Sequence, residues 1–262
     1  MGTALVGGVE VAYARHGHGP PLVLVHGAGI DGRMWQPQLE DLADEFTVVA
    51  WDEPGAGRSS DLPAGFGLAD FAHCLAALIE ELGLGPAQVA GLSWGGTVVL
   101  ELYRHHPELV RTLILADTYA GWKGSLPPEE VAARVEGVRR MLAVPRERFD
   151  PTLPGLFAGD PPAAFVPLLD AMARDVRPET LGAQLFLMAE ADERDLLPAI
   201  GVPVLLVWGE LDARSPLGVA RAFQAALPDC ELVVIPGVGH VSNLEAPEGF
   251  NRAVRAFCHA HA

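Results

Sequence analysis

Ser93 lies in Gly91-Leu92-Ser93-Trp94-Gly95, between the apolar run Ala87 to Ala90 and a helix-like stretch from Gly96 to His105. A serine hydroxyl is a weak nucleophile until a base stands beside it. A tight strand-to-helix turn with glycines on both flanks would hold that hydroxyl clear of a sheet. The next amide, on Trp94, would open the helix and face a developing negative charge, as an oxyanion-hole donor does. With six serines and 29 glycines in 262 residues, random placement yields about 0.07 matches to this pattern. The competing reading is an ordinary serine in a glycine-rich turn.

Two later segments offer partners. Pro203 to Trp208 is a short apolar run followed by Gly209-Glu210-Leu211-Asp212. It reads as a buried parallel strand that delivers an acid at its carboxyl end. Glu231 to Ile235 reads as another buried strand, and Pro236-Gly237-Val238-Gly239-His240 follows as a loop presenting one histidine. His240 would take the Ser93 proton, while Asp212 would hold the ring's tautomer and stabilise its cation. Taken singly, Asp212 could cap the next helix and His240 could be a solvated loop residue. Asp117 ends another strand, Leu113 to Ala116, and is a rival for the acid.

The elements that must position these groups alternate between strand and helix patterns. Val9 to Arg15, Pro21 to His26, Phe46 to Trp51 and Leu109 to Ala116 read as strands. A helix is expected to end near Ala43. Leu68 to Leu82 carries a helical apolar stripe that Gly83 ends, and Pro247 to His259 reads as a terminal helix. From about Tyr119 to Leu197 strand signals vanish and prolines recur between helical patterns. The expectation is an α/β chain with a mostly parallel central sheet and helices on both faces. Residues 1–118 and 198–262 would form its core, and 119–197 a helical cap over the sheet's carboxyl edge, where sites of open α/β sheets lie. The cap would exclude water, with Trp122, Phe157, Phe165, Phe186, Leu187 and Met188 as candidate pocket walls. The competing reading is that they pack the cap's own interior.

Along nearly its whole length the chain resembles the serine α/β-hydrolases. The order Ser93, Asp212, His240 is theirs and not that of chymotrypsin or subtilisin. His26-Gly27-Ala28-Gly29 is similar to the family's oxyanion loop, and Asp52-Glu53-Pro54-Gly55-Ala56-Gly57-Arg58-Ser59 to its loop after the fourth strand. Gly239 to Pro247 is similar to its catalytic-histidine segment. Within the family, Leu113 to Trp122 and the general layout look most like 3-oxoadipate enol-lactonases and related small-ester hydrolases. The resemblance implies Ala28 as the second oxyanion donor beside Trp94, and adds His26, Gly27 and Val241 to the pocket candidates. It implies an acyl-enzyme on Ser93, formed from a small carboxylic ester or lactone. Carbon–carbon bond hydrolysis and cofactor-free perhydrolysis are alternatives on the same fold. A hydrolase-like binding protein with slow turnover is the alternative of another class. An enol-lactone with a carboxylate would want a basic cap residue, for which Arg134, Arg139 or Arg140 could serve.

Gly27-Ala28-Gly29-Ile30-Asp31-Gly32 also fits a dinucleotide-binding fingerprint. In that fold the helix starts within the glycine loop, and Pro37 would fall inside it at a cost of roughly 3 kcal/mol. A helix starting around Trp35 to Pro37 instead accommodates the proline in its first turn. No cofactor and no metal site is expected. The net charge of −16 argues against nucleic acid and anionic membranes as partners; the partner the resemblance implies is a small acyl substrate. No apolar run approaches the length of a membrane span, and the start of the chain lacks a secretory pattern. Cys74, Cys230 and Cys258 show no metal spacing and are expected to be reduced thiols of a cytoplasmic protein.

Overall fold

Eight strands form one sheet in a computed structural model of the chain, which describes residues 1–261. In chain order they are β1 (Gly2–Val6), β2 (Val9–His16), β3 (Pro21–Val25), β4 (Thr47–Asp52), β5 (Ala87–Leu92), β6 (Val110–Ala116), β7 (Val204–Gly209) and β8 (Cys230–Ile235). Their spatial order is β1-β2-β4-β3-β5-β6-β7-β8. β2 runs antiparallel to β1 and β4, and the remaining pairings are parallel.

Continuous apolar runs become central strands because successive side chains leave opposite faces and both faces are covered. On β6, Leu113 and Leu115 enter one core while Ile114 and Ala116 enter the other. On β7, Val204, Leu206 and Trp208 alternate in the same way with Leu205 and Val207. Burial of each large aliphatic side chain stabilises the fold by roughly 1.5–3 kcal/mol.

The helices are α1 (Gln36–Asp41), α2 (Leu68–Glu81), α3 (Trp94–His105), α4 (Trp122–Ser125), α5 (Pro128–Leu142), α6 (Val166–Asp175), α7 (Pro178–Glu190), α8 (Leu217–Ala226), α9 (Ser242–Glu245) and α10 (Pro247–Ala260). α2, α3 and α8 cover one face with side chains such as Phe71, Val98 and Phe223. α1 and α10 cover the other with Leu39, Phe250, Val254 and Phe257. Pro37 falls in the first turn of α1, which follows a short 3-10 turn, Gly32–Trp35. The glycine loop before it is therefore free backbone at the sheet's top.

Helices α4 to α7 all lie between β6 and β7. Their prolines start helices: Pro128, Pro167 and Pro178 each stand in a first turn, where a missing N–H costs nothing. Two readings of the sequence need correction. β1 was not anticipated; it pairs as an antiparallel ribbon with β2, and its outward Leu5 is 72 % exposed. β8 is an edge strand, not one buried on both faces, and its Val234 stands open to solvent.

Candidate active site

β5 ends at Leu92 and α3 begins at Trp94, so the turn between them is Ser93 alone. Its backbone is left-handed, with φ 55° and ψ −118°, a conformation that costs a non-glycine residue on the order of 1–3 kcal/mol. The surroundings hold it there. Ser93 N–H donates to the Ala116 carbonyl on β6 at 2.9 Å, and the Ser93 carbonyl accepts the Gly96 N–H and the Thr118 hydroxyl. The flanking glycines are required by close approach. A Cβ on Gly91 would sit 2.4 Å from the Gly95 carbonyl oxygen, and one on Gly95 would sit 2.3 Å from that of Val25.

The turn aims the Ser93 hydroxyl at His240, whose Nε2 is 2.9 Å from Oγ. His240 Nδ1 is 2.8 Å from Asp212 Oδ2. The other Asp212 oxygen accepts the N–H groups of Arg214 and Ser215, both at 2.8 Å. That carboxylate therefore fixes the ring with its proton on Nδ1 and leaves Nε2 free to accept. Burial holds His240 below its ordinary value of 6.5, against the pull of Asp212. It is thus a neutral base near pH 7.

Asp117, the other candidate acid, makes no hydrogen bond to the imidazole. Its oxygens accept the Gly209 N–H at 2.8 Å and the Ser242 hydroxyl at 2.5 Å, tying the ends of β6 and β7 to α9. Burial, with the charge of Asp212 adding, holds its carboxyl well above the usual range. Asp52 binds Gly32 N–H and the Arg58 main and side chains, which secures both loops beside the site.

A small apolar cavity of about 40 Å³ opens at Ser93 and His240. Of the expected pocket residues, Gly27, Ala28, Phe157 and Val241 line it, as does Met188. His26 does not. It is fully buried behind the loop, where Nε2 accepts the Glu53 N–H at 3.1 Å and Nδ1 donates to the Gly27 carbonyl at 2.8 Å. Trp122 does not either; it lines a separate outer cavity of about 460 Å³, beneath the Arg134 guanidinium, which lies 5.2 Å from its ring. Phe186 packs against the core on α7. Trp122 and Phe186 sit on helices that bury one face in the core, whereas Phe157 comes from the loop before α6.

The Trp94 N–H opens α3 and has no partner within its own helix, and Ala28 borders the cavity at Ser93. Arg214, not singled out from the sequence, lines both the inner and the outer cavity. Its Nη1 donates to the Pro154 carbonyl at 3.0 Å, and among the described residues no carboxylate pairs with it. The available signal was its position, two residues beyond an acid at a strand end. Glu53 and Gln184 also went unsingled; Gln184 is a polar residue in the α7 stripe of Leu181, Leu185 and Met188, which a period count would flag. Among the described residues no group of His, Cys, Asp and Glu converges as a metal site requires.

Comparisons with known proteins agree with this fold. A family model described as alpha/beta hydrolase fold matches residues 20–247. A pimeloyl-[acyl-carrier protein] methyl ester esterase of Vibrio vulnificus is 29 % identical over 95 % of this chain and 98 % of its own. A malate-bound thermophilic esterase from Thermogutta terrifontis superposes with a TM-score of 0.84 at 31 % identity, over 99 % of this chain and 98 % of that one. The enol-lactonase of Burkholderia xenovorans LB400 gives a TM-score of 0.81 at 26 % identity, over 98 % of this chain and 100 % of that one.

Proposed function

The chain belongs to the α/β-hydrolase fold family and is a hydrolase of ester bonds, and we propose that it cleaves compact carboxylic esters or lactones through an acyl-enzyme on Ser93. The observation that carries this reading is the unbroken contact from Asp212 through His240 to Ser93 Oγ at the floor of an apolar cavity. Ser93 Oγ attacks the substrate carbonyl as His240 Nε2 takes its proton. Asp212 stabilises the resulting imidazolium. The oxyanion lies between the amides of Ala28 and Trp94, donors of a type worth roughly 2.7–4 kcal/mol each. His240 returns the proton to the departing alkoxide, and the alcohol leaves. Water then attacks the acyl group as His240 removes its proton, and that proton goes back to Ser93.

Residues 119–197 act as the cap in this reading. Leu153, Leu156, Leu169, Met172 and Leu185 supply apolar walls to the cavity. Leu156 also binds the catalytic segment directly, its carbonyl accepting the N–H groups of His240 and Val241. A cavity of about 40 Å³ holds only a few waters, so small acyl groups suit the site and longer ones require the cap to shift.

A panel of p-nitrophenyl esters and small lactones tests the reading. The wild type is expected to turn over short-chain members, and Ser93→Ala to lose on the order of 10⁶ in kcat. Comparable turnover by Ser93→Ala would end the acyl-enzyme mechanism. Rapid labelling of Ser93 by a phosphonate, with no turnover of any acyl substrate, would shift the function to ligand binding.

A further inference from the structure

Glu53 is fully buried just beyond β4 and takes no part in the steps above. Both of its oxygens accept the Trp94 indole N–H, at 3.0 and 2.9 Å. One also accepts an amide N–H of Gln184 from α7. The oxygen of that same amide accepts the Gly29 N–H at 3.0 Å. Through its own N–H, Glu53 holds His26, and His26 holds the Gly27 carbonyl. Gly27 and Gly29 flank Ala28. One side chain thus joins the turn that carries the Trp94 amide, the loop that carries the Ala28 amide, and the helix lying over both.

We propose that Glu53 is the positioning residue of the oxyanion hole: as a carboxylate it holds the Ala28 and Trp94 amides at the spacing a tetrahedral intermediate needs. The proposal rests on the acyl-enzyme reading above. Its physical ground is an acceptor count. An ionised carboxylate only accepts, and the groups converging on it present N–H. A protonated acid brings a hydroxyl that must donate, and neither the indole nor the amide nitrogen accepts it. Turning the Gln184 amide over to accept that proton points its nitrogen at the Gly29 N–H. Donor then faces donor and the loop is released. An unmet donor in such a site costs about 1–3 kcal/mol.

The clamp can therefore exist in two states, and its environment sets where they exchange. Burial pushes the Glu53 carboxyl up to about 7, with His26, the indole and the Gln184 amide pulling it down. Among the described residues His26 is the one titratable group acting on it; α3 and α7 present the neutral Trp94 and Gln184. Neighbouring Asp52 is turned to Gly32 and Arg58. Burial holds His240 below its ordinary 6.5, the opposite direction to Glu53. On this proposal the acid limb of wild-type activity belongs to Glu53.

The test is kcat and KM for a short-chain p-nitrophenyl ester from about pH 5 to about pH 9, read at the isosbestic wavelength of nitrophenol. Wild-type kcat/KM is expected to fall as pH drops through about 7. Glu53→Gln should lower kcat by roughly 10-fold to 10²-fold, less than deleting a donor outright, with KM little changed. Its acid limb should move down to that of His240. Trp94→Phe keeps a ring and the main-chain amide but removes a donor from the carboxylate, so its limb should move up. A role confined to folding would not shift the limb in opposite directions. A limb that stays in place in both variants, or wild-type kcat in Glu53→Gln, overturns the proposal. If Glu53→Gln does not fold, the direction of the Trp94→Phe shift decides alone. Ser93→Ala in the same assay is read separately, because turnover there removes the acyl-enzyme reading and not merely the clamp.

Discussion

Two non-glycine residues take left-handed backbone, Ser93 and Asp117, and both stand immediately beyond the carboxyl end of a central strand. At Ser93 the strain turns a hydroxyl toward His240. At Asp117 it turns a carboxyl inward to bind Gly209 and Ser242. The sequence alone left these two acids, Asp117 and Asp212, as rivals, and their contacts separate them. Asp212→Asn should lose about 10⁴ in kcat, because an amide cannot hold the same tautomer of the imidazole. Asp117→Asn should stay within about 10-fold, since asparagine tolerates left-handed backbone and offers both an acceptor and a donor. Steady-state kinetics of the two variants decides, and a larger loss for Asp117→Asn reverses the assignment. Ser93 and Asp212 were legible because each follows a buried run, His240 because an apolar run and a glycine loop precede it, and because Gly91 and Gly95 answer a local need for close approach. Glu53 was not. Its burial depends on Gln184, 131 residues further along the chain, and no local pattern registers such a contact.

Elements were legible where burial imposed a period. α2 reads as a helix from its stripe, and the central strands read from runs covered on both faces. β1 escaped because a two-faced edge ribbon has little apolar pattern to show, and β8 misled because its aliphatic residues line a half-open edge. The junction between α7 and β7 carries a liability of its own. Glu193 is buried there with both carboxyl oxygens unpartnered among the described residues. Burial, then the charge of Glu101, holds it well above its ordinary value of 4.5, against the pull of Arg104. The folded chain therefore keeps this proton to higher pH than the unfolded chain does. Any stability tied to it is complete below 4.5 and declines as pH rises toward the folded value. Glu193→Gln should raise the melting temperature at about pH 8 by roughly 2–6 °C, a gain of about 1–3 kcal/mol. The gap should close toward about pH 4. Scanning calorimetry at both pH values checks this, and an equal gap at the two contradicts it.

At the scale of the whole molecule, charge and site disagree in sign. The net charge is −16, which repels anions at long range. Yet the inner and outer cavities meet at Arg214, with Arg134 beside it. Arg134 is paired with Glu130, while burial and the nearby Arg134 weigh against the charge of Arg214. A cation without a carboxylate at the mouth of the Ser93 cavity would favour a substrate with its own carboxylate. Arg214→Gln should therefore cut kcat/KM for a p-nitrophenyl hemiester of a dicarboxylic acid by roughly 10-fold to 10²-fold, the worth of one charge-assisted hydrogen bond. Neutral esters of equal length should change by less than about 3-fold. Equal losses on both substrates would make Arg214 a fold residue and not a reader of charge.

The most direct measurement is the covalent intermediate itself. The protein would be mixed with a p-nitrophenyl ester, quenched in acid within the turnover time, digested and mapped by mass spectrometry. The expected result is one acyl group on the peptide that holds Ser93, absent from Ser93→Ala and accumulating in proportion to a burst of nitrophenol. Acylation at another residue, or full turnover with Ser93 unmodified and replaceable, would contradict the account.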